Sequence, residues 1–248
     1  MTTSVPAPES TTPPVELVAL DMAGTTADEH GLVYEALQRC VEETGTGVSA
    51  ADLQHWMGAD KTEAIAGLLA AGGHAADGDT VAACFTRFRE ILHESYAATP
   101  PRALAGVEEA LVTLRTAGIR VALTTGFDTE VATAVLKVLG WEVTGESEGR
   151  GASGAGVVID ALVCSDQVAA GRPAPYMIHR AMERTGVRDV ARVLVAGDTV
   201  VDAQAGRAAG AAYVIGVLTG KLDREGFAGT GATHVLDGVA GIPALRSL

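Results

Sequence analysis

Four short apolar runs in this chain each stop at a cluster of small and polar residues, and that recurrence restricts the fold more than any other feature. The first, Val15-Glu16-Leu17-Val18-Ala19-Leu20, ends at Asp21 and leads into Met22-Ala23-Gly24-Thr25-Thr26. The second, Arg120 to Thr124, leads into Thr125-Gly126, and the third, Ala161 to Cys164, precedes Gly171-Arg172-Pro173. The fourth, Val193 to Ala196, leads into Gly197-Asp198-Thr199, with Asp202 close behind. Runs this short and this apolar read as strands buried on both faces. Between them lie segments of helical periodicity at Val107–Thr116, Thr129–Leu139, Pro175–Arg184 and Val201–Ala209, and two further strands follow at Ala212–Ile215 and His234–Leu236. Strands alternating with helices predict an α/β fold with a doubly wound parallel sheet. Ligands bind beyond the carboxyl ends of such strands, so the four polar clusters are expected around one crevice.

The alternation is interrupted once. From Gly31 to Ala98 the pattern is purely helical, with Val33, Ala36, Leu37, Cys40 and Val41 on one face, Ile65, Leu68 and Leu69 on another, and Phe85, Phe88, Ile91 and Leu92 on a third. Thr99-Pro100-Pro101 closes this block as a stiff connector. The expected organisation is an α/β core of residues 15–30 and 99–248 with an all-helical insertion at 31–98. Residues 1–14, rich in Ser, Thr and Pro and without a cationic start or apolar stretch, read as a disordered leader and not a signal peptide. Gly145 to Gly156 reads as a flexible surface connection; no Lys-Ser/Thr pair follows it, so it is not a phosphate loop.

Composition removes several function classes. No apolar run approaches the roughly 18 residues of a membrane helix. Acidic residues outnumber basic ones, 31 to 18, for a formal charge of −13, which argues against a broad basic face for nucleic acid. Neither a nucleic-acid nor a membrane partner is expected, and an anionic substrate must be drawn by a metal ion or by a few placed cations. The three cysteines are far apart and lack metal spacing, so they read as reduced thiols of a cytoplasmic protein. Oligomeric state stays open, with a homodimer one arrangement compatible with the chain.

The residues at the strand ends can carry phosphoryl transfer. Asp21 can attack phosphorus and form an aspartyl-phosphate, which splits one hard hydrolysis into two easier steps. Asp21 and Asp198, with the backbone carbonyl of Ala23, offer the oxygen ligands that Mg2+ prefers, and Asp202 is placed to hold the metal's waters. The Thr125 hydroxyl and Gly126 amide suit phosphoryl oxygens, and Arg172 supplies a fixed cation.

In this order, Asp21-Met-Ala-Gly-Thr, Thr125-Gly126, Gly171-Arg172-Pro173 and Gly197-Asp198-Thr-Val-Val-Asp202 resemble the haloacid dehalogenase superfamily over nearly the whole chain after residue 14. Ala23 in place of a second aspartate, Arg172 in place of lysine, and Met57-Gly58-Ala59-Asp60-Lys61 in the insertion are most similar to its phosphonatase branch. The resemblance implies a Rossmann-like core under a mobile helical cap, a Mg2+ ion, an aspartyl-phosphate on Asp21, and catalytic parts for Lys61, Arg172 and Thr125. It implies substrate contacts from Ala23, Gly24, Thr25, Gly126 and Phe127 in the core and from Met57 and Gly58 in the cap. Lys61 stands where phosphonatases carry the lysine that condenses with the substrate aldehyde.

Three positions depart from that branch: Ala64, Phe127 and Met22 replace its histidine, tyrosine and tryptophan. They remove a proton shuttle and a hydroxyl, and His30 and His55 are the histidines that could lie near the cleft instead. The expected function is hydrolysis of a small phosphonate or phosphorylated carbonyl compound. The alternative is a phosphatase or phosphomutase for a sugar phosphate or phosphoglycolate, with Lys61 only a clamp. A metal-free dehalogenase would not need Asp198 and Asp202, and a silent binding protein would not need the nucleophile.

Overall fold

The computed structural model describes residues 14–144 and 156–245. The leader, but for Pro14, and the glycine-rich connection, but for Gly156, lie outside the described residues. In chain order the elements are β1 (Leu17–Leu20), β2 (Ala27–Asp28), α1 (Leu32–Glu42), α2 (Ala50–His55), α3 (Lys61–Ala71), α4 (Gly78–Ala98), β3 (Arg102–Ala103) and α5 (Val107–Thr116). There follow β4 (Arg120–Thr125), α6 (Thr129–Leu139), β5 (Glu142–Val143), β6 (Val158–Ile159), β7 (Ala161–Cys164), α7 (Tyr176–Thr185), β8 (Val193–Gly197), α8 (Val200–Ala209), β9 (Tyr213–Val217) and β10 (His234–Leu236).

Six strands form one parallel sheet in the order β10-β9-β8-β1-β4-β7, so β1 lies at the centre between β4 and β8. The expected α/β fold is present. Side chains alternate across β1: Val18 and Leu20 join the core shared with α5, α6 and the inserted helices, while Leu17 and Ala19 join the one under α7 and α8. Both faces are covered, and all four β1 side chains are fully buried. Burial of each large aliphatic side chain here is worth about 1.5–3 kcal/mol.

The inserted segment is helical, as its periodicity predicts. Helices α1 and α4 pack through Val33, Leu37, Val41, Phe88 and Leu92, and α3 adds Ile65, Leu68 and Leu69 to the same cluster. Three of its four helices start where side-chain acceptors cap them: Ser49 accepts the Asp52 N–H, Asp60 those of Thr62 and Glu63, and Asp77 that of Thr80. Where the chain leaves and re-enters the core, β2 and β3 pair antiparallel, and a second short pair joins β5 to β6. The sequence does not predict these two-residue strands, because two residues show no period. The first strand begins at Leu17, two residues later than its apolar run, and β9 continues to Val217.

Candidate active site

Asp21 follows directly from β1. Its N–H still donates to the Ala196 carbonyl of β8 at 2.9 Å, so its position is set by the sheet's own register. The chain then turns sharply. The amides of Thr25, Thr26 and Ala27 all donate to the Met22 carbonyl, and Gly24 adopts φ +80°, a left-handed conformation that glycine takes without strain. A Cβ on Gly24 would come within 2.6 Å of Asp198 Oδ2, so the absent side chain also admits the second carboxylate.

Asp198 follows β8, and Asp202 lies in the first turn of α8, where Thr199 caps the helix and bonds to Asp202. Ligand oxygens of Asp21, Asp198 and Asp202 lie within 4.8 Å of one another, and all three residues are buried. Burial lifts the Asp21 carboxyl to about 6, with Arg172 pulling it down and Asp202 pushing it up. Burial, then the charges of Asp21 and Asp202, push Asp198 well above the usual carboxylate range. An all-oxygen donor set this crowded suits a hard divalent cation, whose charge would offset the mutual repulsion. Asp198 fits it further because Gly24 and Gly220 leave room at its Oδ2; a Cβ on Gly220 would stand 2.0 Å away.

Arg172 ties the site together. Its Nη1 meets Asp21 Oδ1 at 2.8 Å, its Nε meets Asp202 Oδ1 at 2.9 Å, and its Nη2 donates to the Thr124 carbonyl at 2.7 Å. Nη1 also donates to the Gly58 carbonyl of the insertion at 3.4 Å. Asp202 is thus committed to Arg172 and to the helix cap, beyond the water-holding part expected of it.

Lys61 opens α3, is 4% exposed, and donates from Nζ to the Ala59 carbonyl at 2.8 Å. Burial lowers its ammonium to about 8, against the opposing pull of the Asp60 and Asp21 carboxylates. Nζ stands 6.0 Å from the centroid of the Tyr34 ring and 5.8 Å from that of Phe127. Asp21, Ala23, Tyr34, Gly58, Lys61, Thr125, Gly126, Phe127 and Arg172 line one small cavity of about 10 Å³. That is room for roughly one water. Amine and carboxylate therefore share an enclosed space, as the motif order implies.

Other expected contacts fall elsewhere. Thr25 is fully buried, and its hydroxyl donates to Asp198 Oδ1 at 3.0 Å; the tight turn after Asp21 carries it behind the carboxylates, away from the cavity. Gly24 and Met57 line a neighbouring cavity of about 170 Å³. His55 lines another, of about 330 Å³, beside Asp198 and Thr199, and His30 bonds to Asp28 and the Pro100 carbonyl. Neither histidine lines the Asp21 cavity. Tyr34, Glu29 and Lys221 also line the 170 Å³ cavity and are not legible in the sequence as site residues; a tyrosine inside a helical pattern, for one, looks like any core aromatic.

The family model of haloacid dehalogenase-like hydrolases matches residues 15–210. The chain belongs to this family. The hydrolase is 29% identical over 222 residues to phosphonoacetaldehyde hydrolase of Bacillus anthracis, with 84% of this chain and 78% of the relative covered. A Bacillus cereus phosphonoacetaldehyde hydrolase is 30% identical over 223 residues with the same coverage. Among solved structures, a phosphonoacetaldehyde hydrolase-like protein from Oleispira antarctica superposes with a TM-score of 0.77 at 23% identity, covering 96% of this chain and 94% of the other. A β-phosphoglucomutase from Clostridium difficile gives 0.74 at 15% identity, covering 92% and 93%. These structures share the fold of the hydrolase. Among the described residues, no helix is long and apolar enough to cross a membrane.

Proposed function

We propose that this hydrolase cleaves the carbon–phosphorus bond of a small phosphonate bearing an aldehyde or ketone, with Asp21 as phosphoryl acceptor and Lys61 as condensing amine. One observation carries the reading: a buried lysine with its ammonium lowered to about 8 lies in the same enclosed cavity as the carboxylate of Asp21. A lysine attacks a carbonyl only when neutral, and burial raises the neutral share near neutral pH far above that of an exposed lysine.

Neutral Lys61 adds to the carbonyl carbon, water leaves, and the imine takes up one proton from solvent to become a protonated imine. Asp21 then attacks phosphorus, and the electron pair of the breaking carbon–phosphorus bond passes into the imine, which becomes an enamine. The enamine takes a proton at carbon, and hydrolysis returns the dephosphonylated carbonyl compound and free Lys61. A second water releases phosphate from Asp21. Ala23 accords with this chemistry, because it offers no acid for a departing alkoxide and the enamine requires none. Arg172 orients Asp21, while Thr125 and Gly126 are placed to bind phosphoryl oxygens. A magnesium ion held by Asp21, Asp198, the Ala23 carbonyl and, through water, Asp202 would supply charge neutralisation at those oxygens. The helical insertion acts as a cap: the cavity is too small for a phosphonate, so the loop carrying Gly58 and Ala59 must lift for substrate to reach Asp21.

A second reading rests on the Lys61 hydrogen bond to Ala59 and its two flanking rings, which equally suit a charged clamp on a phosphate monoester such as a sugar phosphate or phosphoglycolate. The Lys61→Arg variant separates the two, because arginine keeps the charge and cannot form an imine. Phosphate release from phosphonoacetaldehyde should vanish, and borohydride should fix a covalent adduct in the parent protein alone. An active Lys61→Arg enzyme without borohydride trapping in the parent establishes the clamp.

A further inference from the structure

Condensation of an amine with a carbonyl leaves a developing negative charge on the carbonyl oxygen, which needs a donor close to the amine. The donors lining the Asp21 cavity are mostly committed. Arg172 is held by Asp21, Asp202, Thr124 and Gly58, and the Thr199 hydroxyl bonds to Asp202. Thr125 lies at the phosphoryl end, its oxygen taking the Phe127 N–H at 3.1 Å. Tyr34, like Thr125, only accepts, and it stands apart by its place. It lines both the Asp21 cavity and the adjoining 170 Å³ cavity, and its hydroxyl oxygen accepts the Gly58 N–H at 3.3 Å. Among the described residues no hydrogen bond takes up the hydroxyl's own proton.

Of the two rings flanking the Lys61 amine, Tyr34 from α1 and Phe127 from the core, only Tyr34 carries a hydroxyl. Lys221 Nζ approaches the same Tyr34 ring at 5.7 Å, so two lysines stand near one ring while its hydroxyl accepts from the loop that carries Gly58. We propose that Tyr34 is a catalytic residue whose hydroxyl donates a hydrogen bond to the substrate's carbonyl oxygen while Lys61 attacks the carbonyl carbon. The nitrogen–carbon bond forms, the carbonyl π pair moves onto oxygen under the Tyr34 hydrogen bond, and both protons of the nitrogen pass to that oxygen, which departs as water; the imine left behind takes one proton from solvent. The phenol does not ionise in this step. A phenol keeps its proton at neutral pH, and burial together with the Asp198, Asp21 and Glu29 carboxylates makes loss of it harder still.

This inference rests on the imine reading, and its test keeps the two apart. Acetaldehyde, which has no phosphorus and does not need Asp21, reports Lys61 condensation alone when the adduct is fixed by borohydride. Tyr34→Phe keeps the ring and its contacts with both lysines. The variant should trap acetaldehyde at least tenfold more slowly than the parent, and kcat for phosphonoacetaldehyde should fall about 100-fold with KM little changed. Its affinity for inorganic phosphate should match the parent's, which a merely loosened cap loop would not preserve. Equal trapping rates in parent and Tyr34→Phe would overturn the role of Tyr34 and leave the imine standing, as would a loss confined to KM and phosphate affinity. Failure of the parent to trap acetaldehyde or phosphonoacetaldehyde would remove both.

Discussion

Asp21 and Lys61 face one cavity, yet they are held there differently. Asp21 continues a central strand whose amides and carbonyls are paired on both sides, so moving it means breaking the sheet. Lys61 begins a helix of the insertion, and its leading loop meets the core edge-on. Gly126 lies so close to that loop that a Cβ would stand 2.6 Å from the Ala59 carbonyl oxygen and 3.0 Å from that of Gly58. One wall is fixed by a ladder of directional bonds and the other by a snug, separable fit. On the proposed mechanism this contrast would combine a rigid nucleophile with a movable amine, the sheet keeping the carboxylates in register while the insertion opens and closes over them.

The largest effects are expected on the rigid wall. Asp21→Asn keeps the size of the side chain and removes the nucleophile, so phosphate release should fall at least about 10⁴-fold with a retained thermal transition. Chelation of divalent cations should produce a comparable loss, restored by magnesium. Phosphate release by Asp21→Asn at near the parent rate would end the nucleophile assignment.

A smaller effect is expected at the wall formed by the insertion. Gly126→Ala must push the Gly58–Ala59 loop outward, because the atoms it meets are backbone and cannot rotate aside. Turnover of phosphonoacetaldehyde should drop about 10- to 100-fold, since a small misplacement of a reacting group is costly. The melting temperature should stay near the parent's, because the sheet is untouched. A large loss of melting temperature would show that the two walls are not independent.

The mildest probe is pH. With the Lys61 ammonium at about 8 in the folded protein, the rate of borohydride trapping should rise about tenfold per pH unit below 8 and level off above it. Stability should follow the same group. Burial depresses this pKa below the ordinary lysine value of 10.5, so between about 8 and 10.5 the unfolded chain binds more protons and stability rises with pH. A Lys61→Met variant should lack that rise in thermal melting, and a parent without it would show that the amine is not desolvated.

Much of the fold and the phosphoryl half of the site are legible in the amino-acid sequence. The sheet strands and their order of appearance follow from short apolar runs, and Asp21, Thr125, Arg172 and Asp198 stand out because each sits past such a run, where the topology gathers ligand groups. These are properties of a few adjacent residues, and sequence displays them directly. The helical character of the segment between Gly31 and Ala98 is legible too, through periodicity, whereas the β2–β3 pair beside it is not, being too short to show alternation.

The tertiary structure alone decided how groups distant in sequence meet. The direction in which Thr25 turns and the commitment of Asp202 to Arg172 depend on how the strand ends come together in the sheet, and the meeting of Tyr34 with Lys61 and Lys221 depends on how the helical block docks on them. A 3.6-residue period says which face of α1 is buried but not what it is buried against. A tyrosine on that face becomes a hydroxyl beside an amine only when two separately encoded pieces come together, and that information resides in packing between them.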